Sequence, residues 1–136
     1  MIRSYLHIPD LNWTCHVYYI VTRPDANEIL EHLVYIGCGD HDMRRAYQNL
    51  TSGKLNSGLT YSNSSLRESV VVIAKTSCAL EFAQSWTHEL GHVACHIAQT
   101  HRLDLGSEEV RYINDALIKA TWEDAKDLLC DCCRHK

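Results

Sequence analysis

The sequence predicts an α+β domain in which a short sheet packs on a long helix carrying His88-Glu89-Leu90-Gly91-His92, followed by a helix that opens on glutamate. Three stretches predict it. Residues 69–75, with three consecutive valines and an isoleucine, favour a largely buried strand. Residues 78–100 place Phe82, Trp86, Leu90, Val93 and Ile97 in one apolar stripe of a helix. From Ser107, a good helix cap, Val110, Ile113, Leu117 and Ala120 repeat the helical spacing. At 136 residues the chain is long enough for one proper core and too short for two of ordinary size, so residues 1–136 read as a single domain.

Composition narrows the class. The 46% hydrophobic and 22% charged fractions suit a soluble globular protein, and a net charge of −4 gives no ground to expect nucleic acid or anionic membrane as partner. No run is long enough to span a bilayer, and the first seven residues lack the apolar core of a signal peptide, so a cytoplasmic location is expected. Seven cysteines, odd in number and scattered, argue against a disulfide framework. Cys15, Cys38, Cys78 and Cys95 are expected to act as small apolar residues. The ending Cys130-Asp131-Cys132-Cys133-Arg134-His135 lacks two separated ligand pairs and reads as a frayed, thiol-rich tail.

In chain order, residues 13–22 are rich in β-branched and aromatic types and predict a strand that stops at Arg23-Pro24. Asp25 with Glu28 three residues later is a capping-box arrangement, and Ile29, Leu33 and Ile36 continue at helical spacing to Gly37. A second helix is expected over residues 41–50, with Asp40 as cap and Met43, Ala46, Tyr47 and Leu50 on one face, ending before Gly53. Residues 51–58 read as a loop and 59–62 as a short strand. The strand at 69–75 leads directly into the motif helix, with Thr76 or Ser77 as its cap. Residues 121–129 continue in helical pattern, with Trp122, Ala125 and Leu128 or Leu129 packing on the body.

The chemistry lies on the last two long helices. Residues four apart stand one turn above each other, so His88 and His92 can point two imidazoles at one ion. They fall opposite the apolar stripe, away from where a purely structural pair would sit. Nine histidines in the chain make a lone His-Glu-x-x-His less informative, so a third ligand matters. On the next helix Glu108 lies opposite the buried stripe, as the His pair does, whereas Glu109 sits on the flank. Glu108 is therefore the better third ligand, although two acids at a helix start also suit its dipole without any metal. Two histidines and a carboxylate leave a fourth zinc position open to water, the arrangement of a catalytic site. Glu89 is then the general base.

A strand, a His-Glu-x-x-His helix and a glutamate-led helix together resemble the minimal gluzincins, compact relatives of the thermolysin-type metallopeptidases. Residues 66–73, Glu81-Phe82, 88–92 and 107–113 are similar to the short zincin-like proteins of bacterial and phage-derived elements, a likeness that covers residues 59–120. The resemblance implies a zincin-like domain with zinc on His88, His92 and Glu108, Glu89 catalytic, and a peptide or protein as substrate. It also implies that residues 69–74 form the cleft edge, where a peptide adds as a further strand. The metzincin variant is excluded, because its extra Gly and His would fall at Cys95 and Ala98. Where thermolysin has an Asp four residues beyond the ligand glutamate, this chain has Tyr112; Tyr112 or Asp115 is left to steady a zinc-bound histidine. For stabilising an oxyanion, His96, His101, Tyr61 and Tyr112 all remain candidates.

Two readings of function follow: a zinc metallopeptidase of narrow specificity, or a catalytically silent zincin-like protein that holds metal, or has lost it, and acts through a protein partner. A thiol redox protein would rest on the tail cysteines alone.

Overall fold

The computed structural model describes residues 1–52 and 58–135; most of the loop expected at 51–58, and the helix stop at Gly53, lie outside the described residues. Among the described residues a four-stranded mixed sheet and four α-helices make up a small α+β domain. The strands are β1 (Ile2–Ile8), β2 (Trp13–Val21), β3 (Gly58–Asn63) and β4 (Glu68–Ala74), in the order β1-β2-β4-β3. β1 and β2 form an antiparallel hairpin, β2 and β4 pair parallel, and β3 folds back antiparallel on β4. The parallel pairing requires a crossover, and α1 (Ala26–Tyr35) and α2 (Asp40–Thr51) supply it. The motif helix α3 (Ala79–Thr100) and α4 (Glu108–Ala125) follow β4.

The unbroken apolar run of β4 is explained by its position. It is an inner strand covered on both faces, so neither parity of side chain meets water. Val71 and Ile73 join Trp13, Val17 and Tyr19 of β2 in a core beneath α3 and α4. Val70 and Val72 join Tyr18 in a second core beneath Ile29 and Leu33 of α1 and Ile36 just after it. The sheet is thus the middle of three layers. All five residues of the predicted α3 stripe are buried, as are Val110, Ile113 and Leu117 of α4.

Several expectations need correction. The sheet edge on this side is β3 and not residues 69–74, because among the described residues β4 has hydrogen-bonded neighbours on both sides while β3 has one. β1 went unpredicted although Ile2, Ser4, Leu6 and Ile8 alternate with polar or aromatic residues, the period-two signal of a half-covered edge strand. The capping box links Thr22 and Asp25 and not Asp25 and Glu28: the Asp25 carboxylate accepts the Thr22 backbone N–H at 2.8 Å. Asp40 is the first residue of α2, with Gly39 at the cap. Tyr47 and Trp122 are exposed, at 58% and 47%.

The tail is the largest correction. It is docked, not frayed. Asp131 Oδ1 accepts the Ala79 backbone N–H at 2.7 Å, and Arg134 donates to the carbonyl oxygens of Thr76 (2.6 Å) and Leu128 (3.1 Å). Asp131, and not Thr76 or Ser77, therefore caps the motif helix, whose own cap residue Cys78 makes no side-chain capping hydrogen bond. No described helix is long and apolar enough to cross a membrane.

Candidate functional site

The motif sits where α3 passes the edge of the sheet. His88 and His92 face outward, and their Nε2 atoms stand 3.1 Å apart with the rings edge-on. Nitrogens bound to one tetrahedral zinc at 2.0–2.1 Å lie about 3.3 Å apart. Two imidazole nitrogens this close can share one proton or supply two of the ligands of one ion.

Glu89 points the other way, inward under β3, and is 2% exposed. A buried carboxyl group needs a donor, and the edge strand supplies it: Thr60 Oγ1 donates to Glu89 Oε1 at 2.9 Å. Close approach of strand and helix depends on Gly58, which has φ +147°; a Cβ there would lie 1.8 Å from the Val72 carbonyl oxygen and 3.3 Å from Glu89 Cγ. Only glycine takes that conformation and leaves that space.

Thr60 and Ser62 share the α3-facing side of β3, being two residues apart on a strand. Ser62 Oγ lies 2.6 Å from His96 Nδ1 and 2.7 Å from Ser69 Oγ, and Ser69 in turn accepts the Trp13 indole N–H at 2.9 Å. His96 stands one turn beyond His92, its ring roughly parallel to that of His92 with centroids 6.5 Å apart. Burial, with His92 as a smaller cause, holds the His96 imidazole below its usual pKa and hence neutral near pH 7.

These residues open onto one cavity of about 370 Å³, lined on the α3 side by His88, Glu89, His92 and His96, along its floor by residues 58–61 of β3, and on the far wall by Asp42, Arg45 and Asn49 of α2. The first half of the chain, which carries no motif, thus builds one wall of the site. Sequence reasoning missed Thr60, Ser62 and the α2 wall; the Thr60-x-Ser62 alternation was the available signal for two polar groups on one strand face.

The predicted ligands are not all brought together. Glu108 is exposed at the start of α4 and paired with Arg111 at 3.4 Å, and it does not line the cavity. The antiparallel register of α3 and α4 is set by the Trp86 indole N–H donating to Thr121 Oγ1 at 3.1 Å. Thirteen residues separate Thr121 from Glu108, about 20 Å of helix, against six, about 9 Å, from Trp86 to His92. Glu108 therefore lies about a further 10 Å along the axis than the His pair, by the same rise per residue. The α4 carboxylate level with His92 is Asp115. Among the described residues no three His, Cys, Asp or Glu side chains form a group able to hold a metal ion. Of the other oxyanion candidates, Tyr61 lines the cavity but donates its hydroxyl to the Gly37 carbonyl oxygen at 3.3 Å, His101 sits exposed at the end of α3, and Tyr112 is 65% exposed.

All seven cysteines are free. Burial pushes the Cys15 thiol up to about 12 and Cys38 up to about 11, which suits the apolar role expected of them. Comparison with protein-family models, with characterised proteins and with solved structures finds no match to this chain.

Proposed function

We propose that the chain is a zinc-dependent metallopeptidase of compact gluzincin type, cleaving a peptide that lies along the edge of β3. One observation carries this reading: His88, Glu89 and His92 line a single cavity whose floor is a strand edge unpaired among the described residues. A zinc ion on His88, His92 and an α4 carboxylate would lower the pKa of its water towards about 7 and polarise the scissile carbonyl. Glu89 Oε1 already accepts the Thr60 hydroxyl, so Oε2 is the oxygen left to accept a proton and return it to the leaving amine. The exposed backbone N–H and C=O groups of β3 hold an extended peptide in register, and alternate side chains of that peptide meet the α2 wall.

Glu108 is the third ligand that the sequence favours, and Asp115 competes with it by level along α4. The catalytically silent reading keeps its place for a specific reason: only two of the three ligands meet. Zinc titration of the chelator-treated protein, beside turnover of a quenched-fluorescent peptide library, separates these possibilities. One equivalent of zinc, its loss in His88→Ala, and a fall of about 100-fold or more in turnover in Glu89→Gln with zinc retained are expected. Glu108→Gln and Asp115→Asn identify the ligand by which of them releases the metal. Failure of the wild type to take up zinc overturns the peptidase, and zinc without turnover favours the silent protein.

A further inference from the structure

We propose that Cys130 and Cys133, at the two ends of one turn in the docked tail, form a redox-active dithiol that exchanges with accessible disulfide bonds, Cys130 attacking and Cys133 resolving. This chemistry needs neither the metal motif nor the cavity beneath it. Cys130-Asp131-Cys132-Cys133 sets its outer thiols three residues apart. The backbone N–H groups of Cys133 and Arg134 both donate to the Cys130 carbonyl oxygen at 3.1 Å and so close a turn. Such a turn brings its first and fourth Cα atoms within about 7 Å, and disulfides span Cα separations of about 4.4–6.8 Å. A Cys130–Cys133 bond therefore asks for little movement of the backbone.

The turn is pinned at two points. Asp131, between the thiols, accepts the Ala79 N–H at 2.7 Å, and Arg134, just beyond them, donates to the carbonyl oxygens of Thr76 at 2.6 Å and Leu128 at 3.1 Å. A loose tail would have to be ordered at every exchange, whereas this one is ordered beforehand. Among the described residues no three His, Cys, Asp or Glu side chains form a group able to hold a metal ion, so the three tail thiols do not make a soft-metal site.

The two thiols are unequal in the way that exchange needs. Cys130 is exposed and Cys133 only partly so. The Cys133 backbone N–H, then that of Cys132, then the Cys133 thiol favour a charged sulfur on Cys130 and hold its pKa below the usual thiol value. The same contact raises the Cys133 thiol. The thiolate is the nucleophile, so charge and access both fall on Cys130. Burial moves Cys15 and Cys38 the other way.

In the reaction the Cys130 thiolate attacks one sulfur of a partner disulfide. That S–S bond breaks, and its electron pair leaves with the other sulfur, which takes a proton from water. Cys133 then loses its proton and attacks the Cys130 sulfur, forming the Cys130–Cys133 bond and releasing the second partner thiolate, which is protonated in turn. The dithiol gives up two electrons and the partner disulfide gains them.

The test uses the reduced full-length protein, with oxidised glutathione as a small disulfide and insulin as a protein disulfide. Intact mass should show the loss of two hydrogens, mapped by fragment ions to Cys130–Cys133, and the bond should form equally in Cys132→Ser. In Cys133→Ser, which keeps both anchors of the turn, a mixed disulfide should accumulate on Cys130 where the wild type shows almost none. Limited alkylation with iodoacetamide near pH 7 should label Cys130 about threefold or more faster than the equally exposed Cys132, and in urea the ratio should fall towards one. Reaction with glutathione, with insulin or with both supports the dithiol and identifies the kind of disulfide it takes. Reaction with neither, pairing of Cys130 with Cys132 or between two chains, no mixed disulfide in Cys133→Ser, or an alkylation ratio equal in the folded and urea-unfolded chain would each overturn it. Zinc content and peptide turnover enter none of these readings, so the peptidase stands or falls separately.

Discussion

Neighbouring residues of the motif face opposite media: His88 and His92 are exposed while Glu89 is 2% exposed. That division follows from the 100° step of a helix lying at the rim of a sheet, and among the described residues it leaves Glu89 with one donor from another element, Thr60. Hydrogen bonds to a charged group contribute about 1.5–3 kcal/mol net, so Thr60→Val, which keeps the shape and removes the donor, should lower stability by about that amount in urea unfolding. Thr60→Ser should lie within about 1 kcal/mol of the wild type, since it keeps the bond and loses only a methyl group. A Thr60→Val protein as stable as the wild type would show that Glu89 finds its partner elsewhere. If the peptidase reading holds, the same variant should also turn over more slowly, because the carboxyl group would no longer be oriented.

The motif helix is capped by a residue distant in sequence. Its first turn has no side-chain cap of its own, and Asp131, fifty-two residues on, accepts the Ala79 N–H where a negative charge also meets the positive end of the helix dipole. Asp131→Ala should therefore cost about 1 kcal/mol, a fall in Tm of about 3–5 °C by scanning calorimetry, and Asp131→Asn should recover much of it. No change in Asp131→Ala would mean that the tail contributes nothing to α3. This contact was illegible in the sequence, since capping rules look one to three residues ahead and not to the far end of the chain. Periodicity did reveal β2, β4 and the four helices, because covered strands and amphipathic helices write their burial into local spacing. It could not tell that β4 is an inner strand and β3 the edge, since strand order depends on a crossover spanning the whole first half. Within the site, His88, Glu89 and His92 were readable from spacing alone. The Thr60–Glu89 bond and the Ser69–Ser62–His96 relay were not, because they join residues whose proximity arises only when β3 pairs with β4 and α3 lies across both.

At the scale of the molecule, three layers leave the cavity at one rim and a second cluster of titratable groups under α1. There the rings of His16 on β2 and His32 on α1 lie 4.3 Å apart, with Tyr18 hydroxyl to His32 Nδ1 at 2.5 Å and Glu68 Oε2 3.7 Å from His16 Nε2. Burial pushes the pKa of both histidines down; Glu68 partly opposes this at His16, and His16 adds to it at His32. Burial lowers His96 in the same sense. A base whose pKa is lower folded than unfolded is neutral in both states above about pH 6.5, so stability should be flat there. Beneath that value the unfolded chain binds more protons, and stability should fall as the pH drops from about 6.5 towards the folded pKa values, before most carboxylates begin to titrate near 4.5. Urea midpoints at pH 7.5, 6.5, 5.5 and 5.0 should trace that decline. His16→Gln combined with His32→Gln removes two of the three groups and should flatten most of it, whatever the chemistry at the opposite rim. An acid limb as steep in the double variant as in the wild type would place the sensitivity elsewhere and show that the layer beneath α1 tolerates two charges 4.3 Å apart.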